Sequence, residues 1–303
     1  MIRQLAVTWL LLQPPVSLVL APPAVAQTRV VMLGTGTPNP DSARSGPSVA
    51  IVVRGSAYLV DAGPGVVRRA ETAYRRGVAG LAQEKLTIVF LTHLHSDHTL
   101  GLPDLILTPW VLERTAPLAV YGPAGTGAMV RHILAAWSVD IGRRQDGWQP
   151  QNRTGWRAQA HEIQPGLVYA DSNVRVTAFL VPHGNWPDAF GYRFDTADRS
   201  IVISGDTRAS EAVVEACHGC DVLVHEAYSD AGLATRPAPW QRYHSHFHTS
   251  AGELAALATR ARPGLLVLYH TLSWGGVPRD TLLAEVRRGF AGRVALAEDL
   301  DIY

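Results

Sequence analysis

The chain has 303 residues, 47% of them hydrophobic and 17% charged, which is enough to bury a sizeable core as one large domain or two small ones. Its 27 Lys and Arg side chains face 26 Asp and Glu, a formal charge of +1. Bulk basicity therefore cannot drive nucleic-acid binding by counterion release; only a local basic patch would do so. Residues 1–26 read as a secretory signal peptide: Arg3 supplies the positive charge, an apolar stretch over 5–20 is broken by Pro14 and Pro15, and Ala24-Val25-Ala26 is a small-x-small cleavage site. This predicts a mature single domain over 27–303, periplasmic or secreted. The stretch is short for a membrane span and no later segment approaches that length, so no stable membrane insertion is expected after cleavage.

A strand over 29–33 runs into the turn Gly34-Thr35-Gly36-Thr37-Pro38. Strands over 47–53 and 57–60 follow, the second ending at Asp61-Ala62-Gly63-Pro64-Gly65, and a helix over 66–76 has one buried face. The apolar run 86–91 reads as a buried strand. It leads directly into Thr92-His93-Leu94-His95-Ser96-Asp97-His98, which places three imidazoles and a carboxylate within six residues. These groups are ligands for zinc and related divalent metals. The pattern over 100–112 is helical but carries Pro103 and Pro109, which predicts a break.

The second half repeats this order. A strand over 118–121 and a helix over 126–137 precede a polar stretch, 142–157, that reads as a surface loop. Strands are predicted near 158–163, 174–181, 190–194, 200–204, 221–226, 265–269 and 294–296, with helices over 251–260 and 280–290. Strands mixed with helices in two similar halves suggest two sheets packed face to face with helices outside. The only cysteines, Cys217 and Cys220, could form a small-loop disulfide or remain reduced; without a second pair they cannot make a zinc ribbon.

Several strands end in a polar point that carries histidine or a carboxylate. They are Val181-Pro182-His183, Ser204-Gly205-Asp206-Thr207, His225-Glu226-Ala227-Tyr228, Phe247-His248-Thr249-Ser250 and Tyr269-His270. Catalytic groups gathered at strand ends on one rim of a rigid scaffold are a common way to build a site.

This order, His-x-His-x-Asp-His and then single His, Asp and His, resembles the metallo-β-lactamase superfamily from Leu33 through His270. The resemblance implies an α/β fold, the four-layer αββα metallo-β-lactamase sandwich. The His183, Asp206, Glu226 and His248 boxes look like the ribonuclease Z branch, and secreted arylsulfatases and ribonuclease Z-like β-lactamases are similar in the same segments. By resemblance, His93, His95 and His183 hold one zinc, Asp97, His98 and His270 hold the other, and Asp206 bridges them. Manganese or iron would fit the same donors. A water between two such metals would ionise near neutral pH, giving a hydroxide nucleophile. Asp97, Glu226 and His248 form the expected catalytic group, with His248 serving the leaving group and Glu226 orienting it. Asp61 is expected to accept from a ligand histidine, and His244 and His246 are candidate substrate contacts. The insertion over 229–246, with Trp240 and Tyr243, is expected to form an aromatic wall or an ordinary surface loop.

The leading expectation is an exported dizinc hydrolase cleaving phosphodiester or arylsulfate esters of a small-molecule substrate. The alternative is a β-lactamase or lactonase. A tRNA 3′-processing endonuclease ranks lower, and no tRNA partner is expected, because the chain lacks a long Gly- and Lys-rich insertion like the tRNA-gripping arm of that branch and reads as exported. A homodimer is left open.

Overall fold

The computed structural model describes residues 28–303, so the expected signal peptide lies outside the described residues. One sheet holds, in spatial order, β1 (Arg29–Gly34), β2 (Ser48–Val53), β3 (Ser56–Val60), β4 (Ile88–Phe90), β5 (Leu118–Gly122) and β6 (Ala158–Glu162). Its first two pairings are antiparallel and the others parallel. The second sheet runs β7 (Gly166–Ala170), β8 (Val174–Leu180), β9 (Phe190–Thr196), β10 (Ser200–Ile203), β11 (Val222–Tyr228), β12 (Leu265–Leu272) and β13 (Val294–Leu296). It is antiparallel as far as β10 and parallel beyond.

The helices are α1 (Val66–Arg75), α2 (Ser96–Thr99), α3 (Leu102–Val111), α4 (Thr126–Ala136), α5 (Ser138–Asp146), α6 (Glu211–Cys217), α7 (Asp230–Ala234), α8 (Ala238–Phe247), α9 (Ala251–Ala261) and α10 (Arg279–Gly289). Central strands are covered on both faces, so they are continuously apolar while their side chains still alternate. On β2, Val49, Ile51 and Val53 enter the core between the sheets, whereas Ala50 and Val52 enter the core under α1 and α3. On β11, Val222 and Val224 point between the sheets and Leu223 faces the core formed with α6, α9 and α10. Three cores between four layers make the expected αββα sandwich. Among the described residues no helix is long and apolar enough to cross a membrane.

Three local expectations are corrected. The polar stretch after α4 is not all loop: α5 enters it, seated by Ile141 in the outer core. The insertion over 229–246 folds as α7 and α8. And α3 is not broken. Pro103 sits in its first turn, where no N–H is needed. Pro109 removes the N–H that would bond to the Leu105 carbonyl, and the buried Arg114 guanidinium replaces it, donating to Leu105 O (3.0 Å) and Ile106 O (2.7 Å). The same group donates to Leu86 O and Gly155 O, both at 2.8 Å, tying α3 to the strand before the histidine loop. Burial lowers Arg114 to about 10, which leaves it charged at neutral pH. The structure also joins Cys217 to Cys220 across the end of α6, with Cα atoms 4.7 Å apart.

Replacing Arg114 with Met should strand these four carbonyls and cost about 3 kcal/mol or more. A urea midpoint equal to that of the wild type would show that the guanidinium does not hold α3 together.

Candidate metal centre

The strand ends on one rim of the sandwich deliver the site. Asp61 follows β3, the 93–98 run follows β4, His183 follows β8, Asp206 follows β10, Glu226 lies on β11 and His270 on β12. Two backbone distortions aim side chains inward. His270 is the extra residue of a bulge, since Glu226 pairs with Tyr269 and Ala227 with Thr271. Both His270 (φ 43°) and Asp61 (φ 62°) occupy the left-handed region that side chains avoid, a strain characteristic of functional sites. Gly205, at φ 63°, lets the chain turn into Asp206; a Cβ there would lie 2.7 Å from Phe190 O.

Second partners orient the imidazoles. The Asp61 carboxylate accepts from Thr92 N (2.8 Å), from the Thr92 hydroxyl and from His98 Nδ1–H (2.7 Å). His93 Nδ1–H donates to Thr92 Oγ1 (3.0 Å), and His183 Nδ1–H to the Phe247 carbonyl (2.8 Å). His93 and His183 are thereby left with a bare Nε2, the form a metal needs; burial lowers His98, but the charges of Asp206, Asp61 and Asp97 push it well above the ordinary histidine value, so a cation would displace its Nε2 proton. His95 differs. Its Nδ1 lies 2.9 Å from His93 Nε2 and 3.2 Å from His183 Nε2, while its Nε2 accepts from Trp186 Nε1–H (3.0 Å). A metal on His95 Nδ1 would require the Trp186 contact to shift, because Nε2 would then carry the hydrogen.

Two ligand clusters and a third group overlapping both result. His93, His95, His183 and Asp206 each bring a donor atom within 4.8 Å of the others, as do Asp97, His98 and His270, and as do Asp206, His248 and His270. Asp206 belongs to the first and faces the second, with Oδ1 at 3.4 Å from His98 Nε2 and Oδ2 at 3.4 Å from His270 Nε2. Buried His98 Nε2 and Asp206 Oδ1 have no hydrogen-bond partner among the described residues. Leaving such groups unpaired costs roughly 1–3 kcal/mol each, a cost that a cation between them removes. Burial lowers His93 well below the ordinary histidine value and His183 to about 4, so both are neutral ligands at neutral pH. Burial pushes Asp206 up, but facing His270 and His98 hold it well below the usual carboxylate range. The donor set fits a dinuclear metal site.

Beside it, Glu226 is fully buried; its Oε1 accepts from Thr207 N (3.1 Å) and Thr249 N (3.3 Å) and lies 3.1 Å from His248 Nδ1. Every residue of the Phe247–Ser250 string has a structural task. Phe247 O holds His183, His248 pairs with Glu226, the Thr249 hydroxyl donates to Thr207 O (2.6 Å), and Ser250 opens α9 in a capping box with Glu253. His225 is buried but turned away, donating to its neighbour's carbonyl at 2.6 Å. All nine expected metal and catalytic residues converge. Of the two further candidates, His244 lines the cleft above the clusters and exposed His246 does not.

That cleft, about 350 Å³, has one wall of Arg236, Trp240, Tyr243, His244 and Trp274. On the other side, past Pro38, Asn39, Ser96 and Asp97, it continues into an open groove of about 650 Å³ that includes Arg44. Trp186, Arg236 and Trp274 were not singled out in the sequence. Trp274, four residues past His270, was the one with a signal to follow.

Fold and clusters together define a metal-dependent hydrolase with a metallo-β-lactamase fold. The family model of the beta-lactamase superfamily domain matches residues 57–271. Ribonuclease Z of Mycobacterium sp. (strain KMS) is 37% identical over 245 residues, covering 80% of this chain and 84% of that protein. Ribonuclease Z of Mycobacterium bovis (strain BCG / Pasteur 1173P2) is 33% identical over 275 residues, covering 89% and 96%. The crystal structure of human tRNase Z, short form, superposes with a TM-score of 0.67 at 25% identity, covering 91% of this chain and 98% of that one. The chain belongs to the metallo-β-lactamase superfamily, in its ribonuclease Z branch.

These relatives correct three expectations. Arylsulfate or small phosphodiester hydrolysis was ranked first, lactam or lactone opening second and tRNA processing last, yet the relatives at 33–37% identity reported above, which align along 80–89% of the chain, are ribonucleases Z. The expectation of a small-molecule substrate without tRNA falls with that ranking, because a missing appendage says nothing about strand-end chemistry. The expected periplasmic or secreted location is overturned by the same relatives; it had rested on residues 1–26 alone.

Replacing Asp61 with Asn should weaken metal binding about 10- to 100-fold by loosening His98. Chelator competition measures this, and unchanged affinity would remove Asp61 from the metal centre.

Proposed function

We propose that this hydrolase is an RNA endonuclease that removes 3′ extensions from tRNA precursors with two zinc ions bound. What carries the reading is 33–37% identity to ribonucleases Z across 80–89% of the chain. The open groove beside the clusters supports it, since a strand can pass through where an enclosed pocket would admit only a small ester. His93, His95 and His183 would hold one ion and Asp97, His98 and His270 the other, with Asp206 between. When bound, the pair supplies Lewis acidity and neutralises charge building on the phosphate oxygens.

The chain's own groups then divide the proton work of hydrolysis. A water oxygen bonds to phosphorus as the P–O3′ bond breaks. Asp97, at the rim of the cleft, takes the water's proton, and His248 delivers one to the departing O3′. Glu226 fixes the His248 ring through Nδ1, leaving Nε2 to serve the leaving group. Burial and the Asp206 charge push Glu226 well above the usual carboxylate range, and burial lowers His248 to about 4. In the reacting form protonated Glu226 therefore donates to His248 Nδ1, the ring carries its hydrogen on Nε2, and as that hydrogen passes to O3′ Nδ1 takes up the Glu226 proton.

Purified protein loaded with zinc should make one cut in a tRNA precursor at the base of its 3′ trailer. An intact precursor alongside turnover of an aryl sulfate or a cephalosporin would refute the reading. His248→Ala should lower kcat by about 10²- to 10³-fold with both metals retained. Asp206→Ala should abolish cleavage and reduce bound metal from two ions to one or fewer. An active Asp206 variant with two metals by elemental analysis would refute the bridging role.

A further inference from the structure

We infer that the wall built by α8 and the loop after β12 is a stacking platform for one nucleobase, that of the nucleotide on the 5′ side of the scissile phosphate. The inference rests on the RNA reading above and goes beyond it by naming a base subsite. Four observations carry it. First, the wall is continuous with the metal centre. Ring centroids step from His270 to His248 (5.9 Å), from His248 to His244 (5.8 Å) and from His244 to Trp274 (4.2 Å), all within one cleft. Whatever covers the wall is thus part of the bound substrate.

Second, its rings are presented rather than packed away. Trp240 and Tyr243 are 48% and 39% exposed, although Tyr243 stacks on Phe247 (4.4 Å) and Trp240 lies nearly parallel to His244 (5.9 Å). Flat, supported and half-open aromatic faces are what unpaired bases stack on. Third, the wall carries charge as well as flat faces: Arg236 lines the cleft and lies over the Trp240 ring at 5.1 Å, and a guanidinium on an aromatic face adds a cation–π surface suited to a base and its phosphate.

The fourth observation sets the side. The wall adjoins His248, which serves the departing O3′, and O3′ belongs to the nucleotide preceding the scissile phosphate. The groove containing Arg44 opens on the opposite side and is left for the 3′ trailer.

The test compares an intact tRNA precursor with one that lacks only the base preceding the cut. The wild-type enzyme should lose about ten-fold in kcat/KM on the abasic RNA. The Trp240→Ala/Tyr243→Ala enzyme should lose about as much on the intact RNA and nothing further on the abasic one, while Trp240→Phe should retain most of the wild-type rate. Equal wild-type cleavage of both RNAs overturns the stacking wall alone, whatever the variants do. Cleavage of neither RNA overturns the RNA reading and the wall with it.

Discussion

The rest of this structure depends on gathering seven side chains that could hold metal into two clusters less than 5 Å across, most of them buried. Without a cation, the arrangement is costly. His98 Nε2 and Asp206 Oδ1 are buried without a hydrogen-bond partner among the described residues, and the Asp97 and Asp206 carboxylates share a small volume largely shielded from water. Such a cluster persists only if the scaffold holds each group from behind, and the structure shows how. Asp61 grips His98 and Thr92, Thr92 grips His93, and the Phe247 carbonyl grips His183. None of these supports is a ligand, yet each decides which ring nitrogen is free.

The sandwich makes this possible because its strands are rigid and buried on both faces, so their ends present side chains at fixed positions. Rigidity alone does not suffice. The bulge at His270 and the left-handed turns at Asp61 and Gly205 redirect the chain where a regular strand would aim the wrong way. The Glu226–His248 pair repeats the principle one layer out: a buried carboxyl group, its Oε1 held by backbone N–H groups of Thr207 and Thr249, orients an imidazole toward the cleft. The same framework thus positions the two clusters, the Glu226–His248 pair and the wall beyond it.

Much of the site was legible in the chain. The 93–98 run is contiguous, and His183, Asp206 and His270 each sit at the end of an apolar strand, where periodicity locates them. The layer order was legible for the same reason. What escaped depends on contacts between distant residues. Pro109 reads as a helix breaker, and nothing nearby reveals that Arg114 will satisfy the carbonyl it frees. Strand β7 is short and polar-flanked, so its pairing with β8 had no local signal. The insertion over 229–246 was expected as an aromatic wall or a surface loop; Trp240 and Tyr243 do line the cleft, but on a helix that its two prolines did not announce, α8, which starts directly after Pro237 and carries Pro239 in its first turn. Substrate class was misjudged for another reason. The metal set is shared by hydrolases of many esters and amides, so weight fell on an amino-terminal segment remote from the chemistry.

The most direct test is to locate the metals. Anomalous diffraction from crystals of the zinc-loaded protein should show two peaks flanking Asp206, one among His93, His95 and His183 and the other among Asp97, His98 and His270. A single peak, or peaks away from these residues, would contradict the account of how this fold builds its centre.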